Sequence, residues 1–526
     1  MKHKNTFNTI AALLILIITN SSCSFLDSDP YDFVSPQTFY KNEKDCRMAL
    51  AGVYYTLVTE PVYGNYYSCM ISNIDDLSYY TRPAGITSSE VFGNGHGASD
   101  KNIYDTWDQL YKGIKNANVL LENIDDAEMK EDIRNNIKGE AQFLRAYYHF
   151  LLAQGWHSIP LRDSSLKDVN NAMTAATPHE EVINWVIQEM EEAVTLVDNE
   201  TYDSSPSHIK KNTVMGILAR VSLWRAGFPT NGGQPFYEKA LYWATEVQKS
   251  NKHSLNPDVY TLWKNMSSNK YDKEYNESIW EAEFYGTRID GNYTAGRIGN
   301  VIGNIQLSVL DDGPGYSYGF YSGSLILWDL FEDGDNRKDL SMAPYQINRK
   351  GEIIDWRDNQ IIQRRCGKYR REWEASKIKH KNYTEQNYPL LRYADVLLMI
   401  AESANEVHQG PTPEAYEAIN EVRKRAGISS LKNLSYTDFQ EEVRNERARE
   451  LCFESTRKYD LIRWGIYVDA IHNKLAEKTY DKRWSTGNNF IGARDYAERT
   501  SDKHQFLPIP NKELSVNKLL EQNSFW

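Results

Sequence analysis

Residues 388–402 read Tyr388-Pro-Leu-Leu-Arg-Tyr-Ala-Asp-Val-Leu-Leu-Met-Ile-Ala-Glu402, and this stretch decides the fold. From Tyr393 the apolar residues recur at i, i+3, i+4 and i+7, which predicts a helix over Tyr393–Val407 with a wide apolar face. Toward the C-terminus the pattern repeats at Pro413–Arg425, Tyr436–Phe453 and Arg457–Ala476. Toward the N-terminus it repeats at Asp45–Leu57, Tyr104–Ile124, Ile137–Leu152, Pro178–Leu196, Lys211–Arg225 and Phe236–Lys249. Thr177-Pro178 and Thr412-Pro413 each read as a cap followed by proline in the first helical turn. Gly427 reads as a C-terminal stop. Successive helices on short connections predict a mostly α protein, a solenoid of helix pairs with divergent repeats.

Two stretches break the rhythm. Residues 255–387 are dense in Gly, Asn, Asp and Tyr, with strand-like runs at Ser278–Phe284 and Ile305–Val309. Residues 60–102 are similarly loop-like. Long irregular segments carried by a helical frame are where binding residues concentrate.

Phe, Trp and Tyr together make up 12% of the chain, 35 of them Tyr, and Tyr joins an apolar face to a polar tip, as wet recognition surfaces require. A net charge of −12 disfavours nucleic acid, whose binders need a basic footprint. Five cysteines in 526 residues are too few for a disulfide scaffold. Cys46, Cys69, Cys366 and Cys452 lack CxxC spacing and read as buried thiols.

The first residues form a secretory leader. Lys2 and Lys4 precede the apolar run Ile10–Ile18, and Asn20, Ser21 and Ser22 lead to Cys23. The run is too short to span a bilayer. We expect a signal peptide over 1–22, lipidation of Cys23, and one domain over 23–526. In that domain the helix-pair scaffold occupies about 36–254 and 388–480, and the variable loops about 60–102 and 255–387.

Gly139-Glu-Ala-Gln-Phe-Leu-Arg-Ala-Tyr-Tyr-His-Phe150, with Trp156 and Ile159-Pro-Leu161, resembles the RagB/SusD family, as does the 388–402 stretch. So do Ala418-Ile-Asn-Glu-Val-Arg-Lys-Arg-Ala-Gly427, Glu446-Arg-Ala-Arg-Glu-Leu451, Arg457-Lys-Tyr-Asp-Leu-Ile-Arg-Trp-Gly465, Phe506-Leu-Pro-Ile-Pro510 and Gln522-Asn523. The resemblance covers essentially the whole chain after Cys23. It implies tetratricopeptide-like helix pairs under a variable region, and a lipoprotein on the outer face of the outer membrane. It implies a non-enzymatic lid on a SusC-like TonB-dependent transporter, without a cofactor, that binds an oligosaccharide or, alternatively, a peptide. The acidic Asp27–Asp29 resembles the signal that sends such lipoproteins outward.

For the ligand site the expectation is Tyr79 and Tyr80 from the first loop region, and Tyr293, Tyr316, Tyr318, Phe320 and Tyr321 from the second. Flat aromatic faces suit the apolar C–H faces of sugars, and a phenol can hydrogen-bond the rim. Asn73, Asp75, Arg82, Arg288, Asn292 and Asp312 are polar partners nearby in sequence. Trp107, Trp156, Trp224 and Trp464 read as core; Trp280 and Trp328 stay open.

The charged motifs read as structure. Glu446, Glu450 and Glu454 share one helix face and would repel alone, so an ion-pair network with arginines is expected. Arg145, Arg392 and Arg463 need carboxylates; Glu140, Asp395 and Asp460 are available by type. Gly315-Tyr-Ser-Tyr-Gly319 matches G-x-S-x-G but lacks the following helix of a nucleophile elbow. Asp333-Gly-Asp-Asn-Arg337 with Asp339 reads as a turn with an Asp335–Arg337 contact ahead of a Ca²⁺ loop. The competing class is an extracellular glycosidase using Asp75/Asp76, Glu281/Glu283 or Asp311/Asp312; adjacent aspartates do not by themselves supply a glycosidase's carboxylate separation.

Overall fold

The computed structural model describes residues 39–82, 89–166, 173–198, 205–286, 294, 296–308, 310, 313–484 and 491–526. The expected leader and Cys23 lie outside the described residues. The major helices are α1 (Glu43–Tyr54), α2 (Lys101–Asn123), α3 (Glu131–Trp156), α4 (His179–Leu196), α5 (Lys211–Ala226), α6 (Gln234–Lys249), α7 (Val259–Ser267), α8 (Tyr393–His408), α9 (Pro413–Arg425), α10 (Tyr436–Leu451), α11 (Arg457–Arg463) and α12 (Ile491–Arg499). From α1 to α6 neighbours in sequence are neighbours in space: α2 packs on α3, α3 on α4, α4 on α5 and α5 on α6. The chain then leaves the solenoid for some 140 residues and rejoins it, because α8 packs directly on α6 and carries α9 and α10. The fold is the mostly α, helix-pair solenoid that the periodicity predicts.

Local chemistry sets the boundaries. The Asp100 side chain accepts from the Asn102 and Ile103 amides to start α2, and Thr412 accepts from the Ala415 amide to start α9. Thr177 does not cap α4. Pro178 takes the cap position, and the Thr177 amide instead donates to the Ile159 carbonyl (2.8 Å). Gly427 has φ +80° and ends α9 as expected. The expected helix Arg457–Ala476 is broken: α11 stops at Arg463, and Gly465 adopts φ +70°, a left-handed turn that glycine enters without a Cβ clash. A wider-wound turn follows at Asp469–Leu475.

Strands tie the insertion to the frame. β2 (Ser278–Ala282) pairs antiparallel with β8 (Tyr388–Arg392), clasping the two ends of the irregular middle at the foot of α8. β1 (Ser78–Tyr80) pairs antiparallel with β5 (Tyr321–Gly323), Tyr79 opposite Ser322 and Tyr80 opposite Tyr321. This joins the two loop regions. A small sheet of order β4-β3-β6-β7 (β3 Gln306–Leu307, β4 Tyr316–Ser317, β6 Tyr345–Ile347, β7 Ile353–Asp355) covers one side of the variable region. No described helix is long and apolar enough to cross a membrane.

The three glutamates form the expected network, mostly with partners from distant elements, but they do not share one helix face: α10 ends at Leu451, so Glu446 and Glu450 lie on it and Glu454 in the turn beyond. Glu450 accepts from Arg425 (2.6 Å), Arg392 (2.9 Å) and Arg337 (3.0 Å). Glu446 accepts from Arg337 (2.6 Å) and Arg449 (2.7 Å), and Glu454 from Lys368 and Arg392 (both 2.7 Å). All three carboxylates are buried. Two of the pairings available by type are replaced. Arg392 finds Glu277, Glu450 and Glu454 rather than Asp395, while Asp395 takes Arg220 and Arg447. Arg145 pairs with Glu189 rather than Glu140. Arg463 does take Asp460 (2.8 Å), together with Glu402. Burial alone would raise the Glu450 and Asp395 carboxyls; the surrounding guanidinium groups outweigh it and hold both below the usual carboxylate range. Such networks add little net stability over an apolar core, but opening one strands charge in it.

Trp107, Trp156, Trp224 and Trp280 are core residues. Trp464 is half-buried: its indole N–H donates to Glu402 (2.9 Å), and the Arg444, Arg457 and Arg463 guanidiniums lie over its ring. Trp328 is half-buried beneath Lys338 and Arg364. Cys46, Cys69, Cys366 and Cys452 are buried free thiols.

Candidate functional site

The expected aromatic residues separate into two groups. Tyr79, Tyr80 and Tyr321 lie on the paired strands β1 and β5 and are buried. Tyr79 packs edge-on against Trp484, with centroids 5.4 Å apart, and its hydroxyl accepts from the indole N–H. Tyr80 lies 4.1 Å from Phe92 and 5.5 Å from Tyr321. These three rings have no face to offer a ligand, so the expectation for them is corrected: the β1–β5 pairing turns them into the core. Tyr293 lies outside the described residues, as do Arg288, Asn292, Asp311 and Asp312.

Tyr316, Tyr318 and Phe320 form the second group. They alternate with buried Ser317 and Gly319, and each is half-exposed; β4 ends at Ser317 and Gly319 turns left-handed, so it is the ring contacts rather than a continuous strand that align the three. Tyr318 stacks on Phe320 at 4.8 Å and 10°, and Tyr316 meets Tyr318 edge-on at 4.9 Å. The backbone beneath is fixed. The Tyr318 amide donates to the Asn300 carbonyl and the Phe320 amide to the Val301 carbonyl (both 2.9 Å). The Arg371 guanidinium donates to the Tyr316 carbonyl (2.6 Å). Gly319 has φ +55°, and a Cβ there would meet Ile305 Cγ1 at 2.6 Å, so only glycine lets the row lie this close to the chain below it.

Polar groups flank the row. The Arg82 guanidinium lies 4.4 Å from the centre of the Phe320 ring, and Lys381 Nζ lies 5.1 Å from that of Tyr316. The Tyr318 hydroxyl donates to Asn382 Oδ1 (3.5 Å). Arg82 was expected among the polar partners. Lys381 and Asn382 were not, since nothing in an irregular lysine-rich run marks which side chains fold back on an aromatic row. Asn73 and Asp75 belong to the scaffold. Asn73 Nδ2 donates to the Ser68 carbonyl (2.8 Å), and Asp75 accepts from the Leu77 and Ser78 amides (2.8 and 2.9 Å).

The apparent catalytic motifs are occupied by structure. Ser317 of Gly315–Gly319 is buried in β4, its hydroxyl donates to the Asn300 carbonyl (3.2 Å), and strand β5 follows it where an elbow has its helix. Asp76 forms a buried pair with Arg457 (2.8 Å). Asp335 pairs with Arg337 (2.7 Å), making the expected turn contact. Glu281 accepts from the Asn387 side chain and Glu283 from the Tyr271 and Ser205 hydroxyls.

This geometry defines a scaffold protein that presents a fixed row of rings with a polar border. Residues 357–526 match the SusD family, and residues 25–223 match the family described as starch-binding, associating with outer membrane. The chain is 26% identical to SusD-like protein P25 of Formosa agariphila over 97% of both chains. It is 29% identical to the starch-binding protein SusD of Bacteroides thetaiotaomicron over 28% of this chain and 23% of that one. A solved SusD homolog from the same Bacteroides species superposes with a TM-score of 0.83 at 26% identity, covering 93% of this chain and 98% of that one. The chain belongs to the SusD/RagB family, as the sequence motifs led us to expect.

Proposed function

We propose that the protein captures an oligosaccharide at the outer face of the outer membrane, without cleaving it, and hands it to a SusC-like TonB-dependent transporter. The observation that carries this reading is the half-exposed row Tyr316–Tyr318–Phe320, held rigid from below and bordered by Arg82, Lys381 and Asn382. Sugar rings stack on such rows while their hydroxyls meet the polar border. Family membership supports the glycan as ligand class and the outer membrane as location. A shallow polar ligand gives micromolar to millimolar binding, about −8 to −4 kcal/mol.

Calorimetry against a panel of neutral glycans, with alanine at Tyr316, Tyr318 and Phe320 in turn, tests the site. Undiminished binding by all three variants places it elsewhere. A parallel assay for new reducing ends separates capture from hydrolysis. The lipid anchor is proposed at Cys23, where two or more acyl chains give stable attachment; Cys23→Ala should move the protein from the membrane to the soluble fraction. Co-purification with a β-barrel in mild detergent tests the transporter partnership.

A further inference from the structure

A groove of about 410 Å³, lined by none of the residues of the aromatic row, lies between α1 and the chain at and just after the end of β2. That volume is within the roughly 300–1,000 Å³ of small-molecule sites. Two tyrosines stand in solvent on its walls: Tyr55, just after α1, is 58% exposed, and Tyr285 is 63% exposed. Tyr54 between them is fixed, its hydroxyl donating to Glu140 and accepting from the Ile209 amide. The Tyr285 backbone is also held, its amide donating to Thr294 Oγ1 (2.7 Å). These are built walls that carry unused ring surface.

Glu281 and Glu283 line the same groove, two residues apart on one extended run. Their partners are neutral. Glu281 accepts from Asn387 Nδ2 (2.8 Å), and Glu283 accepts from the Tyr271 hydroxyl (2.6 Å) and the Ser205 hydroxyl (3.1 Å). Neither has a basic partner among the described residues, whereas the buried Glu446, Glu450 and Glu454 each have at least two. Of the two basic side chains that line the groove, Arg47 is engaged with Glu43 (2.8 Å) and the His208 ring stacks on Tyr54 with centroids 5.8 Å apart. Glu281 is 4% exposed. Burial, with the neighbouring Glu283 charge adding to it, pushes its carboxyl up to about 7. A pair of carboxyls with no basic partner among the described residues, in a groove that open aromatic rings also line, is complementary to a cation carried on a ring-shaped ligand.

We propose that this groove is a second glycan site, selective for an amino sugar whose pyranose ring lies on Tyr55 and Tyr285 and whose ammonium sits against Glu281 and Glu283. The inference rests on the glycan-binding reading and adds a substrate class to it. An ammonium near aromatic faces gains cation–π attraction as well as charge-assisted hydrogen bonds to the carboxylates. Acetylating the amine removes the charge and both gains.

The test is calorimetry on the chain from Cys23 to Trp526, in soluble form, with three probes: a β-1,4 glucosamine tetramer, its fully N-acetylated counterpart, and tetralysine. The glucosamine tetramer should bind about tenfold more tightly than the acetylated one, the size expected for a hydrogen-bonded charge. Glu283→Gln and Tyr285→Ala should each weaken it several-fold, and Tyr318→Ala should leave it unchanged. Tyr285 is exposed, so its variant folds even where Glu283→Gln does not. Equal or tighter binding of the acetylated tetramer overturns the proposal, as does full affinity in Tyr285→Ala. Tighter binding of tetralysine also overturns it and assigns the groove to a basic peptide. If neutral glycans bind and respond to Tyr318→Ala while the glucosamine tetramer does not bind, the groove proposal fails alone. If no glycan of either kind binds, the underlying reading fails with it.

Discussion

The scaffold and the aromatic row treat positive charge in opposite ways. Around Glu446, Glu450 and Glu454 the guanidiniums meet carboxylates within the core: Arg337 alone touches Asp335, Glu446 and Glu450. Around Tyr316–Phe320 the cations meet ring faces instead, Arg82 on Phe320 and Lys381 on Tyr316. The first arrangement is closed, since every member is buried and its partners are fixed. The second is open, because a cation over a half-exposed ring can shift aside for a sugar without stranding a charge. Stability should therefore reside in the charge network and recognition in the rings, and four changes test that division.

The largest effect should come from Glu450→Gln, which leaves Arg337, Arg392 and Arg425 facing a neutral amide in the core. Breaking a buried pair costs about 3–5 kcal/mol, to be read from urea unfolding, while glycan affinity of the folded fraction stays unchanged. A loss of affinity equal to the loss of stability would merge the two regions into one.

Tyr79→Ala comes next. This buried ring should cost about 3 kcal/mol of stability, as large-to-small aromatic changes do, with no effect on affinity beyond that of unfolding. An affinity loss in a variant that still melts normally would restore Tyr79 to the site.

Acid should open the network in a defined window. Burial works to raise the Glu402 carboxyl, but Arg463 and its neighbours outweigh it and bring it down to about 2. The unfolded value is about 4.3. A carboxyl depressed on folding contributes stability that is complete above the unfolded value and is lost as pH falls through the folded one. Stability should thus decline from about pH 4.5 toward pH 2, and Glu402→Gln should flatten that limb in acid titrations followed by circular dichroism.

The smallest effect is the most specific. Tyr318→Ala should weaken neutral glycan binding by about 1–2 kcal/mol, the range of an interface hot spot, with the unfolding midpoint barely moved.

The helices were legible because a 3.6-residue period is a local property, and Thr412, Gly427 and the α9 boundaries followed from neighbours within four residues. The break at Gly465 was not read, since the apolar pattern continues through it and only the backbone angle reveals the stop. The family motifs marked the ion network by residue type, but the partners of Arg145 and Arg392 come from segments 44 to 115 residues away, and composition cannot choose among carboxylates at that range. The tyrosines show the same limit most sharply. Tyr79, Tyr80 and Tyr321 look like Tyr316 and Tyr318 in sequence, and what separates them is a strand pairing between residues in the two loop regions. Alternation around Ser317 and Gly319 was the one local signal that could have singled out the exposed row. Lys381 and Asn382 had no such signal.

That same pairing governs when the chain can finish folding. The first loop region is completed only by residues made far later: β1 needs β5, Asp76 needs Arg457 across 381 residues, and Asn73 needs the Phe453 carbonyl across 380. Contacts of such separation must close very long loops and form slowly. Helices α2 to α5 find their neighbours as they emerge, while the stretch ahead of them waits for the last quarter of the chain. For that stretch synthesis and assembly run in opposite orders, and the first loop region, which emerges before α2, is among the last to settle.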